Sequence, residues 1–185
     1  IAIGLAPAYV LARFEVRGRA VIVGVLTAMF VLPTVVMGAA FLALLPDSLD
    51  RTVWAVLGAH VVFNLAVVVR VVGSLWEHLP ADMEAAAATL GASRWKVVTR
   101  VSLPLVRPAI VAAATIVFLF TFTSYGVILL LDAPGNRTIE VEVWRLATQL
   151  VDDGGAAVLS LFQHAVLIAM VWLSPVAQRH HPQAL

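Results

Sequence analysis

Two polar side chains, His60 and Asn64, lie four residues apart inside a long apolar block of this 185-residue chain. That spacing places both on one face of a helix. An imidazole and an amide on a shared face within a membrane would suit a substrate pathway or a proton relay. The alternative is an interhelical hydrogen bond, since polar side chains commonly hold membrane helices together.

A second polar group, Thr121, Thr123, Ser124 and Tyr125, lies near the end of another apolar block and is followed by Gly126. These hydroxyl groups are candidates for lining a pathway. The alternative is that they donate to the carbonyls of their own helix, which is common and carries no function.

The sequence contains none of the usual signatures of enzymes. His-Glu-x-x-His, Gly-x-Ser-x-Gly and the phosphate-binding Gly-x-x-x-x-Gly-Lys are all missing, so we expect no catalytic residue and no ATP hydrolysis by this chain. The absence of cysteine removes disulfides and thiolate metal sites. We therefore expect no metal and no cofactor, and no nucleic acid as partner.

Composition identifies the elements that must position these residues. Apolar residues make up 62% of the chain and charged residues 12%, with a mean hydropathy of +0.98, which is typical of a membrane protein. Continuous apolar runs without alternation favour helices over a barrel. We predict an all-α bundle of about five transmembrane helices, the first being the remnant of a longer one. The predicted spans are residues 1–12, 20–45, 52–76, 103–131 and 154–175.

The positions of Lys and Arg predict the orientation, because loops on the cytoplasmic side hold these residues in excess. Three of the twelve, Arg51, Arg137 and Arg145, fall on one side. The other nine fall on the opposite side, which is therefore predicted to be cytoplasmic together with the C-terminus. These nine are Arg13, Arg17, Arg19, Arg70, Arg94, Lys96, Arg100, Arg107 and Arg179.

The residue pattern of the predicted cytoplasmic segment, 77–102, indicates two helices joined at a glycine. Gly91 is placed to end the first helix and Ser93 to cap the second, which we expect to span Arg94–Ser102 and to end near Pro104. Trp95, Val98 and Val101 recur at helical spacing, which predicts an apolar face. Periodicity alone also allows an amphipathic hairpin that merely links two spans.

The external segment over residues 132–153 contains a predicted amphipathic helix, 138–150. Its apolar residues recur at helical spacing and its charged residues occupy other positions. The helix would serve as a dock or gate, or would simply rest among the lipid headgroups. The apolar residues are Ile139, Val143, Leu146 and Leu150.

The stretch Glu84–Pro104 resembles the EAA loop of permease subunits in ATP-binding cassette importers. Gly91, nine intervening residues and Val101-x-Leu103-Pro104 reproduce the family's spacing, with valine for the usual isoleucine, whereas Glu84 stands one residue earlier than the family's glutamate. Leu32-Pro33 and the stretch 135–145 extend the resemblance to the permeases of iron, thiamine and phosphonate importers.

The resemblance implies a division of labour among several proteins. Two permease halves or subunits form the pathway, an external substrate-binding protein delivers the cargo, and each permease docks its loop in a cytoplasmic ATPase. The chain would then be a multi-pass permease of the inner membrane. The residues that the resemblance assigns to ATPase coupling are Glu84, Ala86, Ala87, Gly91, Ala92 and Ser93, with Arg94 and Trp95 as flanking support.

Two other classes of function remain open from the sequence. An ion-coupled secondary transporter would use His60 and Asn64 and would need no ATPase. A membrane scaffold that transports nothing would use the glycine-joined helices to recruit a cytoplasmic protein.

Overall fold

The computed structural model describes residues 1–132, 135 and 137–178 of the chain. The protein is all-α, with no strand in this part of the chain, as the sequence predicted. Three of its helices, α4, α6 and α9, are long and apolar enough to cross a membrane. The helices in the described ranges are α1 Ala2–Arg13, α2 Arg19–Val31, α3 Thr34–Leu44, α4 Val53–Glu77, α5 Ala81–Thr89, α6 Arg94–Phe122, α7 Gly126–Leu131, α8 Ile139–Arg145 and α9 Asp153–Gln178.

The predicted span over residues 20–45 is not one straight helix. It consists of α2 and α3, which meet at a bend of 108°. The bend falls at Leu32 and Pro33, both in extended conformation, because a residue before proline avoids the helical region and the proline ring blocks the preceding turn. At about 1.5 Å per residue, neither piece alone reaches the roughly 30 Å of a bilayer core.

The second helix of the predicted elbow does not end near Pro104. Instead α6 continues from Arg94 to Phe122 and absorbs the proline through a π turn, Val98–Ser102. In this wider turn the Leu103 N–H donates to the Val98 carbonyl, five residues back. Pro104 has no N–H to donate, and the wider turn relieves the contact between its ring and the preceding carbonyls.

The predicted span over residues 103–131 is interrupted after Phe122. Helix α7 begins at Gly126 and packs against α3. A Cβ atom at Gly126 would lie 2.6 Å from both the Thr34 hydroxyl oxygen and the Val35 backbone nitrogen. Glycine is therefore the residue that lets these two helices approach so closely.

Helix α4 lies at the centre of the bundle and contacts α1, α2, α3, α6 and α7. One apolar cluster, formed by α1, α4 and α6, lies towards the end of the bundle where α4 finishes, which we call the elbow end; Trp76 and Val72 are fully buried there. A second cluster, formed by α3, α4, α7 and α8, lies towards the opposite or far end and includes Leu131 and Val141.

The segment predicted to be external differs in detail from the predicted amphipathic helix. Helix α8 stops at Arg145 and continues as a π turn, Leu146–Leu150. Val141 is the residue that packs into the far cluster, whereas Leu150 is exposed. A π turn takes more residues per turn than an α-helix, so it rotates Leu150 away from the face predicted for it.

Candidate coupling elbow and membrane cavity

The turn between α5 and α6, which we call the elbow, is built around Gly91. Its φ angle is +81°, a conformation that side-chain-bearing residues rarely adopt. The Gly91 N–H donates to the Ala88 carbonyl and the Ala92 N–H to the Ala87 carbonyl, which is the hydrogen-bond pattern of a Schellman helix end. The Ser93 hydroxyl oxygen then accepts from the Lys96 N–H and caps α6. Both caps agree with the sequence prediction.

Glu84 points towards the bundle rather than away from it. Its Oε1 accepts from Arg13 Nη2 at 2.9 Å and from the Ser102 hydroxyl at 2.6 Å. Arg13 also donates to the Leu79 carbonyl at 3.3 Å. The carboxylate therefore joins three elements: the end of α1, the elbow helix α5 and the π turn of α6.

The outer surface of the elbow carries large apolar side chains that the described part of the chain leaves largely uncovered. Leu90 is 88% exposed and Trp95 is 75% exposed, one on each side of Gly91. Trp95 points away from the bundle, whereas Val98, three residues on, is half-buried against the elbow-end cluster, and Val97 is buried. Ala86, Ser93 and Arg94 are also exposed, and Ala87 and Ala92 are half-buried.

A cleft of about 460 Å³ lies beside the elbow, between it and the end of α1. Tyr9 and Phe14 line one wall, and Ala85, Ala88 and Ala92 line the other. The small alanine side chains keep this cleft open. Arg13 and Glu84 lie in it, so their ion pair lies directly beside the exposed elbow surface.

His60 and Asn64 share a face of α4, as predicted, and line a cavity of about 320 Å³ with Thr121 of α6 and the first turn of α1. His60 Nδ1 lies 2.8 Å from the Val56 carbonyl oxygen, and Asn64 Nδ2 donates to the His60 carbonyl at 2.9 Å. These bonds lie within α4 and do not join two helices, so the interhelical bond considered from sequence is not formed by them.

The polar group of residues 121–125 lies at the end of α6 and in the break between α6 and α7. Thr121 and Thr123 donate to the carbonyls four residues back, at 2.7 and 2.8 Å. Ser124 is buried, and its carbonyl accepts from the Thr138 hydroxyl at 2.7 Å, which ties the break to the start of α8. The Tyr125 ring lies against Trp144, with 6.1 Å between ring centroids. Of the four predicted pathway residues, Thr121 alone lines the cavity with His60 and Asn64.

Charged side chains at the far end pair with one another. Arg145 hydrogen-bonds the Glu142 carboxylate, which lowers the pKa of Glu142 and raises the pKa of Arg145. The buried Gln163 of α9 donates to Glu140 at 2.6 Å and so fixes α8 against α9. Across the described ranges no group of three or more His, Asp or Glu side chains is placed to hold a metal ion.

Sequence reasoning missed three residues of the elbow: Arg13, Ser102 and Leu90. Arg13 and Ser102 are far from Glu84 in the chain, 71 and 18 residues away, so no local pattern indicates the contact. Leu90 did carry a signal. It is a large apolar residue directly before the glycine that ends the helix, in a basic segment that cannot belong to a membrane span.

Long apolar helices and a protruding elbow define a multi-span membrane protein that presents a helical surface at one end. Residues 1–180 match the family described as binding-protein-dependent transport system inner membrane component. The chain belongs to this family.

Several curated proteins similar to this chain are named for the cargo of their transport systems. The permease protein PhnV of Salmonella paratyphi A, named for a 2-aminoethylphosphonate transport system, is 30% identical over 134 residues, covering 72% of this chain and 51% of PhnV. The thiamine transport system permease protein ThiP of Escherichia coli is 32% identical over 120 residues, covering 64% of this chain and 22% of ThiP. The chain thus spans about half the length of PhnV and about a fifth of ThiP.

The sulfate transport system permease protein CysT of Escherichia coli is 30% identical over 156 residues, covering 77% of this chain and 56% of CysT. The three names give three different cargoes. The likeness therefore carries the permease class and does not select a cargo.

Proposed function

We propose that this chain forms part of the substrate pathway of an ATP-driven importer and couples to a separate cytoplasmic ATPase through the elbow. The observation that carries the proposal is the exposure of Leu90 and Trp95 on either side of Gly91. Large apolar side chains at the centre of a surface are the usual anchors of a protein interface. Basic residues, Arg94 and Lys96, flank them and would stay solvated at its rim.

The contact residues of this interface are the exposed ones on the outer face of the elbow. Ala86, Ser93 and Arg94 surround the apolar pair, and Ala87 and Ala92 allow close approach because their side chains are small. Glu84 supports the interface without touching the partner, since its carboxylate is held by Arg13 and Ser102. Gly91 sets the angle between the two helices.

The wider assembly follows from the family. We infer a second permease half or subunit, an external substrate-binding protein and ATP hydrolysis on the ATPase partner. The elbow and the C-terminus are on the cytoplasmic side in this proposal. Of the three importer types in the sequence resemblance, iron, thiamine and phosphonate, the names of the relatives include thiamine and 2-aminoethylphosphonate, and they leave the cargo of this chain open.

The test is co-purification of the ATPase with the full-length parent permease. Leu90→Ala combined with Trp95→Ala removes the apolar anchors, and we expect ATPase binding to weaken about tenfold or more. Gly91→Val forces a β-branched residue into a positive φ angle and should have a similar effect.

Gly18→Val is the matched control for the glycine variant. Gly18 also has a positive φ, +80°, and open space around it, but it lies in the turn before α2. Retention of the ATPase by Gly18→Val and its loss in both elbow variants supports the proposal. Equal retention in all variants would remove the elbow as the docking surface.

The same samples separate the two rival functions. A permease that binds no ATPase and whose transport collapses with a proton uncoupler at constant ATP would be a secondary transporter. A protein that binds the ATPase but moves no cargo with any binding protein would be a scaffold.

A further inference from the structure

A cleft of about 170 Å³ lies between α2 and α4 near the elbow end, with α1 as its third wall. Its polar lining comes from Arg19, Arg70, Ser74 and Glu77, and the rest of the lining is apolar or glycine. Sites that enclose a whole small molecule usually have roughly 300 to 1,000 Å³. The cleft therefore suits a single polar group whose remainder lies outside it.

Arg70 is a charged residue within a helix that can span the membrane. It lies seven residues before the end of α4, roughly 10 Å along the helix from Glu77. Its side chain is exposed and forms no ion pair with any described residue. To these residues it makes one hydrogen bond, from Nη1 to the Thr27 hydroxyl at 3.4 Å. Charged side chains in membrane segments are costly unless they are paired, so this guanidinium calls for an anion.

The other polar groups of the cleft also favour an anion. Arg19 pairs with Glu77 but is about half exposed, so it keeps N–H groups to donate. The Ser74 hydroxyl is exposed and makes no hydrogen bond to any described residue. Helix α2 begins at Arg19 without a side-chain cap, and the N–H groups of a first turn attract negative charge. Two guanidinium groups against one carboxylate leave the lining with one surplus positive charge.

The surface beside the cleft is apolar. Val21, Ile22 and Val25 of α2 are 69%, 40% and 48% exposed. Helix α2 is also one half of a bent candidate membrane span. A ligand with an anionic head and an apolar tail would place its head in the cleft and its tail along α2. Phospholipids have this chemistry, and basic pockets between membrane helices bind lipid headgroups.

We propose that the cleft between α2 and α4 binds the phosphate of an anionic phospholipid from the leaflet at the elbow end. Arg70 and Arg19 donate to the phosphate oxygens, because a guanidinium matches phosphate with two parallel N–H groups. The Ser74 hydroxyl donates a further bond. The surplus positive charge selects a lipid of net negative charge, such as phosphatidylglycerol, over the net-neutral phosphatidylcholine.

The experiment is native mass spectrometry of the full-length parent permease, released from nanodiscs of phosphatidylcholine with a minor share of phosphatidylglycerol. We expect the wild type to retain phosphatidylglycerol in preference to phosphatidylcholine. Arg70→Gln should lower that retention about fivefold, the effect of one arginine near an anionic lipid. Arg107→Gln is the matched control and should retain the lipid, because Arg107 is also exposed but lies on α6, outside the cleft.

Ser74→Glu tests the cleft in a second way. Ser74 is exposed, so this variant should fold even where Arg70→Gln does not. The new carboxylate stands four residues after Arg70 on α4, where it can pair with that guanidinium and repel a phosphate. Retention of phosphatidylglycerol should then fall to the level of phosphatidylcholine. Gln149→Glu adds the same charge at the far end and should leave retention unchanged.

Equal retention of the two lipids by the wild type would overturn the proposal, as would unchanged retention in both cleft variants. An equal loss in Arg107→Gln would mean diffuse attraction rather than a site. Displacement of the lipid by soluble glycerophosphate would mean a site for a soluble anion. A wild type that retains no lipid would mean that a carboxylate from another protein segment pairs with Arg70. None of these measurements involves the ATPase, so their failure is distinct from failure of the proposed function.

Discussion

A displacement of one residue explains the role of Glu84. The importer pattern places its glutamate at the position of Ala85, which is exposed at the elbow surface. Moving the acidic residue one place back rotates it by about 100° around α5. The carboxylate then meets Arg13 and Ser102 instead of solvent. In this chain the glutamate fixes the elbow from within.

Glu84→Gln tests that internal role. The substitution leaves Arg13 partly buried without its carboxylate, and we expect the permease to lose roughly 1–3 kcal/mol of stability. Glu77→Gln is the control, because Glu77 pairs with Arg19 in a more exposed setting and such pairs contribute about 1 kcal/mol or less. Thermal unfolding in nanodiscs measures both.

A double-mutant cycle with Arg13→Gln isolates the pair itself. If Glu84→Gln is no more harmful than Glu77→Gln, or if the two losses simply add, the ion pair does not fix the elbow. In that event the hydrogen bond from the Ser102 hydroxyl would be the contact that holds residue 84 against the bundle.

At the scale of elements, the close crossing of α3 and α7 depends on Gly126. Gly126→Ala places a methyl group 2.6 Å from backbone and side-chain atoms of α3, so the helices must separate. We expect a loss of about 1–3 kcal/mol from overpacking, measured by thermal unfolding.

Gly24→Ala is the matched substitution, since Gly24 lies in α2 with no atom within 4 Å of an added Cβ. It should leave stability unchanged or raise it slightly, because alanine favours a helix. A similar loss in both variants would mean that close approach at Gly126 does not set the effect.

Local signals predicted the elements well and tertiary contacts poorly. Gly91 and Ser93 end and start helices through bonds to residues within five positions, so their pattern is legible in the sequence. Pro33 bends a helix for an equally local reason, which the prediction of one span over residues 20–45 overlooked. The break after Phe122 has no proline within it and involves the distant Thr138, so apolar composition alone predicted one unbroken span.

The same distinction holds for the candidate sites. His60 and Asn64 share a face because of their spacing, and the helix period predicts this. The contact of Glu84 with Arg13 depends on how α1 packs, and the cavity beside His60 and Asn64 depends on how α1 and α6 lie against α4. Neither can be read from spacing.

At the scale of the whole molecule, the distribution of Lys and Arg predicts which end faces the cytoplasm. Of the nine predicted cytoplasmic basic residues, Arg179 lies outside the described residues and the others lie towards the elbow end. Single cysteines introduced into this chain can test this, because its 185 residues include no cysteine.

Thr89→Cys lies at the elbow and Gln149→Cys at the far end, and both positions are exposed. We expect a membrane-impermeant maleimide to label only Gln149→Cys in intact cells and both variants after lysis. Labelling of Thr89→Cys in intact cells would invert the orientation and exclude a cytoplasmic ATPase at the elbow.

The continuity of α6 has a mechanical consequence. Its 29 residues form one rod about 43 Å long, with Trp95 near one end and Thr121 near the other. Near its middle, the buried Ala109 and Ala113 pack in the cluster shared with α4. A rod that pivots at such a point moves its two ends in opposite directions, in proportion to their distances from the pivot. From the middle of residues 109–113, Trp95 is 16 residues away and Thr121 is 10. A push of about 2 Å at the elbow would therefore swing the cavity wall at Thr121 by roughly 1.3 Å the other way, with no hinge needed between them.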